Sequence, residues 1–379
     1  MINTIQLLVS NIAFMGIQLV IVLFLNYFYS LEASGSYFYT LAVLSPLYLF
    51  FSMGAKQLYL SGVLEKKYHL TFRFLGMALF LVFGGGVVLT GMSEPLVVVA
   101  ILFFKLYENI QDYKTSHLMV EEKYVLLVWF QLIRLLLFSA VLISSSFFME
   151  KWEYCLLLAS ISIILPSLTW KVFKIHALDH VLLKKGAYLG AGMFLVNLTV
   201  SLPKIEIEKF ISLDDFGALQ TLIYMTVLGQ LVVNVLASKS TIITAMKSKR
   251  ESFNYIIKSC TLLSLFIILF LILMFENIDF LFKLITSHSL EPTIKNILPL
   301  LFFYIFIALN ASFIEKFSTI FGVERQHFNI YFLTLILCAV LTYTVIPSFK
   351  LQGYIYVLIF ITLLKMLLLV AKFYYASRK

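Results

Sequence analysis

The sequence predicts an all-α polytopic membrane protein of about twelve transmembrane helices, on three observations. Hydrophobic residues fill 61% of the 379 positions, charged residues only 13%, and the mean hydropathy is +0.97. That is more apolar surface than a soluble core buries. The apolar residues also fall in nearly continuous runs, such as Leu262 to Phe275 and Val357 to Val370. A membrane barrel strand would alternate instead. Finally, a helix crossing about 30 Å of hydrocarbon needs roughly 20 residues, so this length with short connections holds about a dozen crossings.

Breaking the runs at charges, Gly, Pro and Asn predicts spans over 4–28, 37–60, 71–92, 95–116, 124–148, 153–173, 187–210, 217–240, 258–280, 296–318, 328–347 and 351–372. The first run, Ile5 to Phe28, has no basic residue before it and no small-residue cleavage pattern after it, so it reads as a retained helix. Connections on one side hold nineteen basic residues, among them Lys66, Lys67, Lys249 and Arg250; the other side holds four, Lys151, Lys283, Lys295 and Lys350. The positive-inside rule places both termini in the cytoplasm. The outer connections are short, Ser30 to Ser36 and Ser93 to Glu94 for instance, which excludes a folded catalytic domain outside.

The excess of 29 Lys and Arg over 20 Asp and Glu sits in short loops rather than on one amphipathic face, so it reports topology and not nucleic acid. Cys155, Cys260 and Cys338 lie in or beside apolar runs without paired spacing and read as packing residues. None of the six histidines has a metal-ligand or catalytic companion at useful spacing, and His176, His180 and His327 read as solvated loop residues. Gly84, Gly85 and Gly86 lack the following Lys and Ser or Thr of a phosphate loop. They read as a close helix contact or a kink. Neither a metal nor a cofactor is expected.

The chain echoes itself. Ser-Leu-Glu-Ala-Ser-Gly (Ser30 to Gly35) follows the first span and Ser-Leu-Asp-Asp-Phe-Gly (Ser212 to Gly217) follows the seventh. Ser116 with Glu122 and Lys123 is matched by Ser318 with Glu324 and Arg325. Six spans separate the partners, so the halves share one orientation and form a parallel repeat, 1–186 and 187–379.

At these residues the sequence resembles the Wzx-type polysaccharide, or O-antigen, flippases of the multidrug and oligosaccharidyl-lipid exporter superfamily. Glu32, Gly35, Tyr37 and Tyr39 match the opening of the first lobe, and Asp214, Gly217 and Tyr224 that of the second. Ser45-Pro46 and the series Lys105, Glu108, Asp112, Ser116 are similar to family features too. The resemblance implies a MATE-like fold of two six-helix lobes around a central cavity in the bacterial inner membrane. It also implies a lipid-linked oligosaccharide as cargo, membrane lipid as surroundings, and a polysaccharide polymerase and chain-length regulator as partners.

Polar residues form stripes on repeat-equivalent spans. Asn11, Gln18 and Asn26 lie within about 80° of helix arc in the first span. In the second, Ser45, Tyr48, Ser52, Lys56 and Tyr59 share an arc. Asn197, Ser201, Lys204 and Glu208 fall within about 60° in the seventh, and Gln220, Tyr224, Gln230, Asn234 and Ser238 within about 120° in the eighth. Four such stripes suit a hydrated cavity, with Asn11, Gln18, Asn26, Tyr48, Ser52, Asn197, Ser201, Gln230 and Asn234 as sugar contacts. The alternative for each is bridging between helices.

A charge inside the bilayer costs roughly 2.5–3.5 kcal/mol and normally faces a cavity or a partner. Arg134 lies roughly 15 Å from its span's cytoplasmic end. Lys105 is as deep, with Glu108 and Asp112 at i+3 and i+7. Phosphate binding and ion pairing among Lys105, Glu108 and Arg134 both account for them. Lys56 and Lys204 sit near span ends, where snorkelling competes with substrate contact. Lys365 is expected to snorkel, Glu206 to pair with Lys209, and Glu108, Asp112 or Glu208 to offer a site for ion coupling.

These features predict a flippase whose cavity attracts an anionic headgroup. A cation-coupled multidrug exporter would favour an acidic or apolar cavity. A membrane-bound polymerase or glycosyltransferase would house its chemistry in a larger outer loop.

Overall fold

The computed structural model describes residues 2–60, 63–167, 179–224, 229, 230, 233, 236, 248–315, 317 and 324–378, and every regular element among them is a helix. The chain divides into two compact units, Met1–Ser201 and Leu202–Lys379.

The first unit contains α1 (Ile2–Phe28), α2 (Leu31–Ser52), the short α3 (Ala55–Leu60), α4 (Lys66–Thr90), α5 (Pro95–Val120), α6 (Tyr124–Ser146), α7 (Trp152–Ser167) and the first part of α8 (His180–Ile207). The bundle is built by α1 on α6, α5 and α6 on α7, and α4 on both α2 and α5. The second unit contains the end of α8, then α9 (213–224), α10 (Lys249–Glu276), α11 (Ile278–Thr286), α12 (Pro292–Lys295), α13 (Leu298–Glu315) and α14 (Glu324–Ser377). There α13 packs on α14 and α10 packs on both.

Among the described residues, eight helices are long and apolar enough to cross a membrane. They carry large apolar side chains outward, for example Leu89 and Leu262 at 90% and 71% exposure. Such surface requires hydrocarbon around it. At 26 residues α5 has the length of a span but carries Lys105, Glu108, Asp112 and Lys114. The helix α14 covers two predicted spans and is broken at Lys350 (φ 47, ψ −122), after Pro347. A Cβ on Gly353 would lie 2.7 Å from the carbonyl oxygen of Val345, whereas eight residues of straight helix span about 12 Å. The chain therefore folds straight back.

Local chemistry sets the helix ends. Pro95 stands in the first turn of α5, where its missing N–H is no loss. Ser248 and Glu251 form a reciprocal capping box on α10. The turn between α5 and α6 is tied by Glu121, which binds Lys66 and Lys123 at 2.9 Å each. Those two ammonium groups hold its carboxyl down at about 2.

The repeated hexapeptides, placed after the first and seventh predicted spans, are helix starts. Ser30 Oγ accepts from the N–H of Ala33 at 3.1 Å, and Ser212 Oγ accepts from the N–H of Asp215 at 3.1 Å. Both are N-caps on the third following amide. The echo in sequence is an echo of capping chemistry.

Ser34 is fully buried and donates to Asn26 Oδ1 at 2.6 Å, so Asn26 binds a neighbouring helix there. Topology is therefore better probed at exposed neighbours. Cysteines at Glu32 and Asp214 should react with an impermeant maleimide on intact cells, and cysteines at Lys67 and Lys249 only after permeabilisation. Labelling of Lys249→Cys on intact cells would reverse the orientation that the basic loops imply.

Candidate functional site

The first unit holds a cluster of charge, partly buried, between α1, α2, α3, α5 and α6. It starts on α5, whose i+3 and i+4 spacings place Lys105, Glu108 and Asp112 along one face. Lys105 donates to Glu108 Oε2 at 2.7 Å, and Gln18 of α1 donates to Glu108 Oε1 at 2.8 Å. Lys56 of α3 donates to Asp112 Oδ1 at 2.8 Å. Lys105 and Glu108 are 6% and 9% exposed, and both carboxylates are matched by lysines.

Arg134 of α6, 4% exposed, is different. Its guanidinium carbon lies 5.1 Å from the ring centre of Phe14 on α1 and 5.1 Å from that of Tyr107 on α5. The two aromatic faces stabilise the cation. Its Nε and Nη1 atoms nevertheless stay buried without a hydrogen-bond partner among the described residues. Of the ion pairing considered among Lys105, Glu108 and Arg134, the described residues show the Lys105 to Glu108 pair and none between Arg134 and Glu108, whose oxygens are taken by Lys105 and Gln18. One turn earlier on α6, Gln131 donates to Thr115 Oγ1 at 2.8 Å and fixes α6 against α5.

Aromatic rings line the lysines as well. Lys105 Nζ lies 5.2 Å from the centre of Tyr48 and 5.6 Å from that of Phe104, and Lys56 Nζ lies 5.7 Å from that of Phe14. Tyr48 itself packs edge-on against Phe80 at 5.3 Å. The arrangement is thus a set of cations held on aromatic faces, with one of them short of acceptors.

The remaining predicted residues lie apart from this cluster. Asn11 is exposed, and Ser52 donates to the Leu49 carbonyl of its own helix. Ser201 donates to Asn197 Oδ1 at 3.3 Å, a bond within α8. Lys204, Glu208 and Gln230 are half-buried in the second unit. Asn234 lies outside the described residues, as do Ser238 and His176. Glu206 pairs with Lys209 at 2.8 Å as expected. Lys365 does not snorkel: it binds Glu315 Oε2 at 3.1 Å, and Tyr331 donates to the other oxygen of Glu315. Gly84 is the close contact of its triplet, for a Cβ there would meet Leu102 Cδ2 at 2.7 Å. Gly85 and Gly86 face open space.

A second polar cluster in the first unit escaped the sequence. Tyr59 stacks on His69 at 4.2 Å and shares a hydrogen bond of 2.9 Å with His117 Nδ1. Arg73 donates to His69 Nε2 at 2.9 Å and to Asn109 Oδ1 at 2.7 Å. The i+4 spacing of His69 and Arg73 was readable; their neighbours on α3 and α5 were not. The second unit's inner polar groups are mostly neutral: Gln220 donates to Tyr354 at 3.0 Å, and Ser264 donates to Asn310 at 2.8 Å. An apolar groove of about 550 Å³ runs between α10 and α13, lined by Leu271, Phe275, Phe302 and Phe306.

Comparison with known proteins defines the class. No protein-family model and no curated relative matches the sequence. Solved structures do. An inward-facing multidrug resistance MATE family transporter of the MOP superfamily superposes with a TM-score of 0.69 at 12% identity, covering 99% of this chain and 97% of that one. A MOP superfamily transporter from Pyrococcus furiosus, described as having a binding pocket of reversed polarity, gives 0.59 at 12% identity over 99% and 94%. The MATE multidrug transporter DinF-BH gives 0.59 at 14% identity over 98% and 94%. The chain is therefore a multi-pass membrane protein with the MATE-like fold. At such identities the likeness is one of fold.

Proposed function

We propose that the protein exports a polyisoprenoid phosphate- or diphosphate-linked oligosaccharide, moving it from the cytoplasmic to the outer leaflet by alternating access for cell-surface polysaccharide synthesis. Arg134 carries this reading. A buried guanidinium with open Nε and Nη1 atoms is costly as a packing element and well suited to phosphate, which its fork binds bidentately. The half-buried ring of Phe14 beside the guanidinium offers an apolar face for sugar. The role is transport rather than catalysis, in a bacterial inner membrane with both termini in the cytoplasm and with a polymerase and chain-length regulator as partners.

The membrane potential suffices as a driving force. Moving two negative charges out of a cell held about 100 mV negative inside gains roughly 4–5 kcal/mol. The drug-exporter alternative needs an uncompensated carboxylate for a cationic drug. In the cluster around Arg134, the two carboxylates Glu108 and Asp112 are neutralised by Lys105 and Lys56.

The reading is tested with purified protein in liposomes, given a fluorescent polyisoprenoid diphosphate disaccharide or ethidium. Transfer of the disaccharide lipid between leaflets, without ethidium transport, is the expected result. Ion-driven ethidium transport with the disaccharide lipid left in place would make the protein a drug exporter.

A further inference from the structure

Glu108 is bound through both oxygens, one to Lys105 on its own helix and one to Gln18 on α1. It lies in the same cluster as the buried Arg134, whose Nε and Nη1 atoms are without a hydrogen-bond partner among the described residues. To a cation, a carboxylate and a phosphate offer the same thing, anionic oxygens that accept N–H donors. We propose that Glu108 is a built-in substitute for the cargo anion: it holds Lys105 while the site is empty, yields that lysine to the arriving anion, and reclaims it to expel the anion. The proposal rests on the anionic-cargo reading and adds a release step to it.

Three features support the exchange. The Lys105 to Glu108 bond joins residues three apart on one helix, so breaking it needs a side-chain rotation and no helix movement. The rings of Tyr48 and Phe104 flank Lys105 Nζ at 5.2 and 5.6 Å and stabilise its charge with or without the carboxylate. Gln18 gives Glu108 a neutral donor on another helix, so the carboxylate is not orphaned when Lys105 leaves. Asp112 is not equivalent, because its lysine comes from α3.

The physical need is for release. A site that only attracts its cargo shifts the equilibrium toward the bound state, and a transporter must also let go. A fixed negative charge beside the bound anion raises the dissociation rate by repulsion.

The probe is inorganic pyrophosphate, titrated calorimetrically into purified protein at one low ionic strength. Glu108→Gln should bind it about tenfold tighter than the parent protein, or more, and should flip the lipid-linked sugar more slowly in liposomes. Equal or weaker binding by a monodisperse Glu108→Gln protein overturns the proposal. Should that variant not stay monodisperse, Lys105→Gln decides. Alone it should weaken binding, because it leaves Glu108 facing the probe unneutralised, and adding Glu108→Gln should recover about tenfold. No recovery overturns the proposal. Arg134→Ala tests the parent reading separately: undiminished binding there, or no binding by any variant, removes the anion site altogether. Loss of binding in Arg134→Ala without a gain in Glu108→Gln removes only the role of Glu108.

Discussion

Replacing Arg134 with alanine is expected to reduce export of the anionic cargo by about 30- to 3,000-fold, the range for deleting one side of a desolvated, charge-assisted contact. Its abundance should hold, because no acceptor among the described residues depends on Nε or Nη1. Arg134→Lys should keep part of the activity, since lysine supplies the charge without the planar fork. The measurement is cell-surface polysaccharide divided by membrane-inserted protein. If Arg134 served only to offset Glu108, combining Arg134→Ala with Glu108→Gln would restore both abundance and export. Restoration by that pair, or full export by Arg134→Ala alone, would place the residue outside the cargo site.

A still larger effect on folding is expected at Gly76. A Cβ there would sit 2.0 Å from the carbonyl oxygen of Phe51, where α4 crosses the end of α2. The obstacle is backbone, so no rotamer relieves it. Overpacking that a side chain can absorb costs about 1–3 kcal/mol; Gly76→Val should exceed this range and leave little monodisperse protein after detergent extraction. Gly190, whose Cβ would lie 2.3 Å from the Phe50 oxygen, presses on the same helix end from α8. Gly85→Ala is the matched control. Nothing lies within 4 Å of its Cβ, and alanine favours helix by roughly 0.5–1 kcal/mol, so that variant should survive heating at least as well as the parent. Equal recovery of Gly76→Val and Gly85→Ala would disprove the contact.

Much of the fold was legible because it depends on local pattern. Apolar runs gave the helices, and Ser30 and Ser212 each cap a helix through the third amide on. The Lys105 to Glu108 pair followed from helical spacing. Contacts made across the chain were not legible: Gln18 reaches Glu108 across 90 positions, and Lys365 reaches Glu315 across 50. The stacking of Tyr59 on His69 likewise depends on how α3 lies against α4. Periodicity sorts residues onto faces, and only packing says which faces meet. For that reason Arg134 was recognised as a costly charge, while its place between Phe14 and Tyr107 was not.

The one-residue reversal at Lys350 bears on how the protein enters the bilayer during synthesis. The arms on either side of it, 324–349 and 351–377, have no polar loop between them in which translocation could pause. The two arms touch at the turn, where Phe349 packs edge-on against Tyr356 at 6.4 Å. Whichever side the turn reaches, the charge carried there is that of Lys350 alone, with Gln352 beside it. On insertion scales such a toll is about 2.5–3.5 kcal/mol, well below the gain from two apolar arms. The last two crossings are thus built to be laid into the membrane as one hairpin, and a protease added from either side finds no loop there to cut.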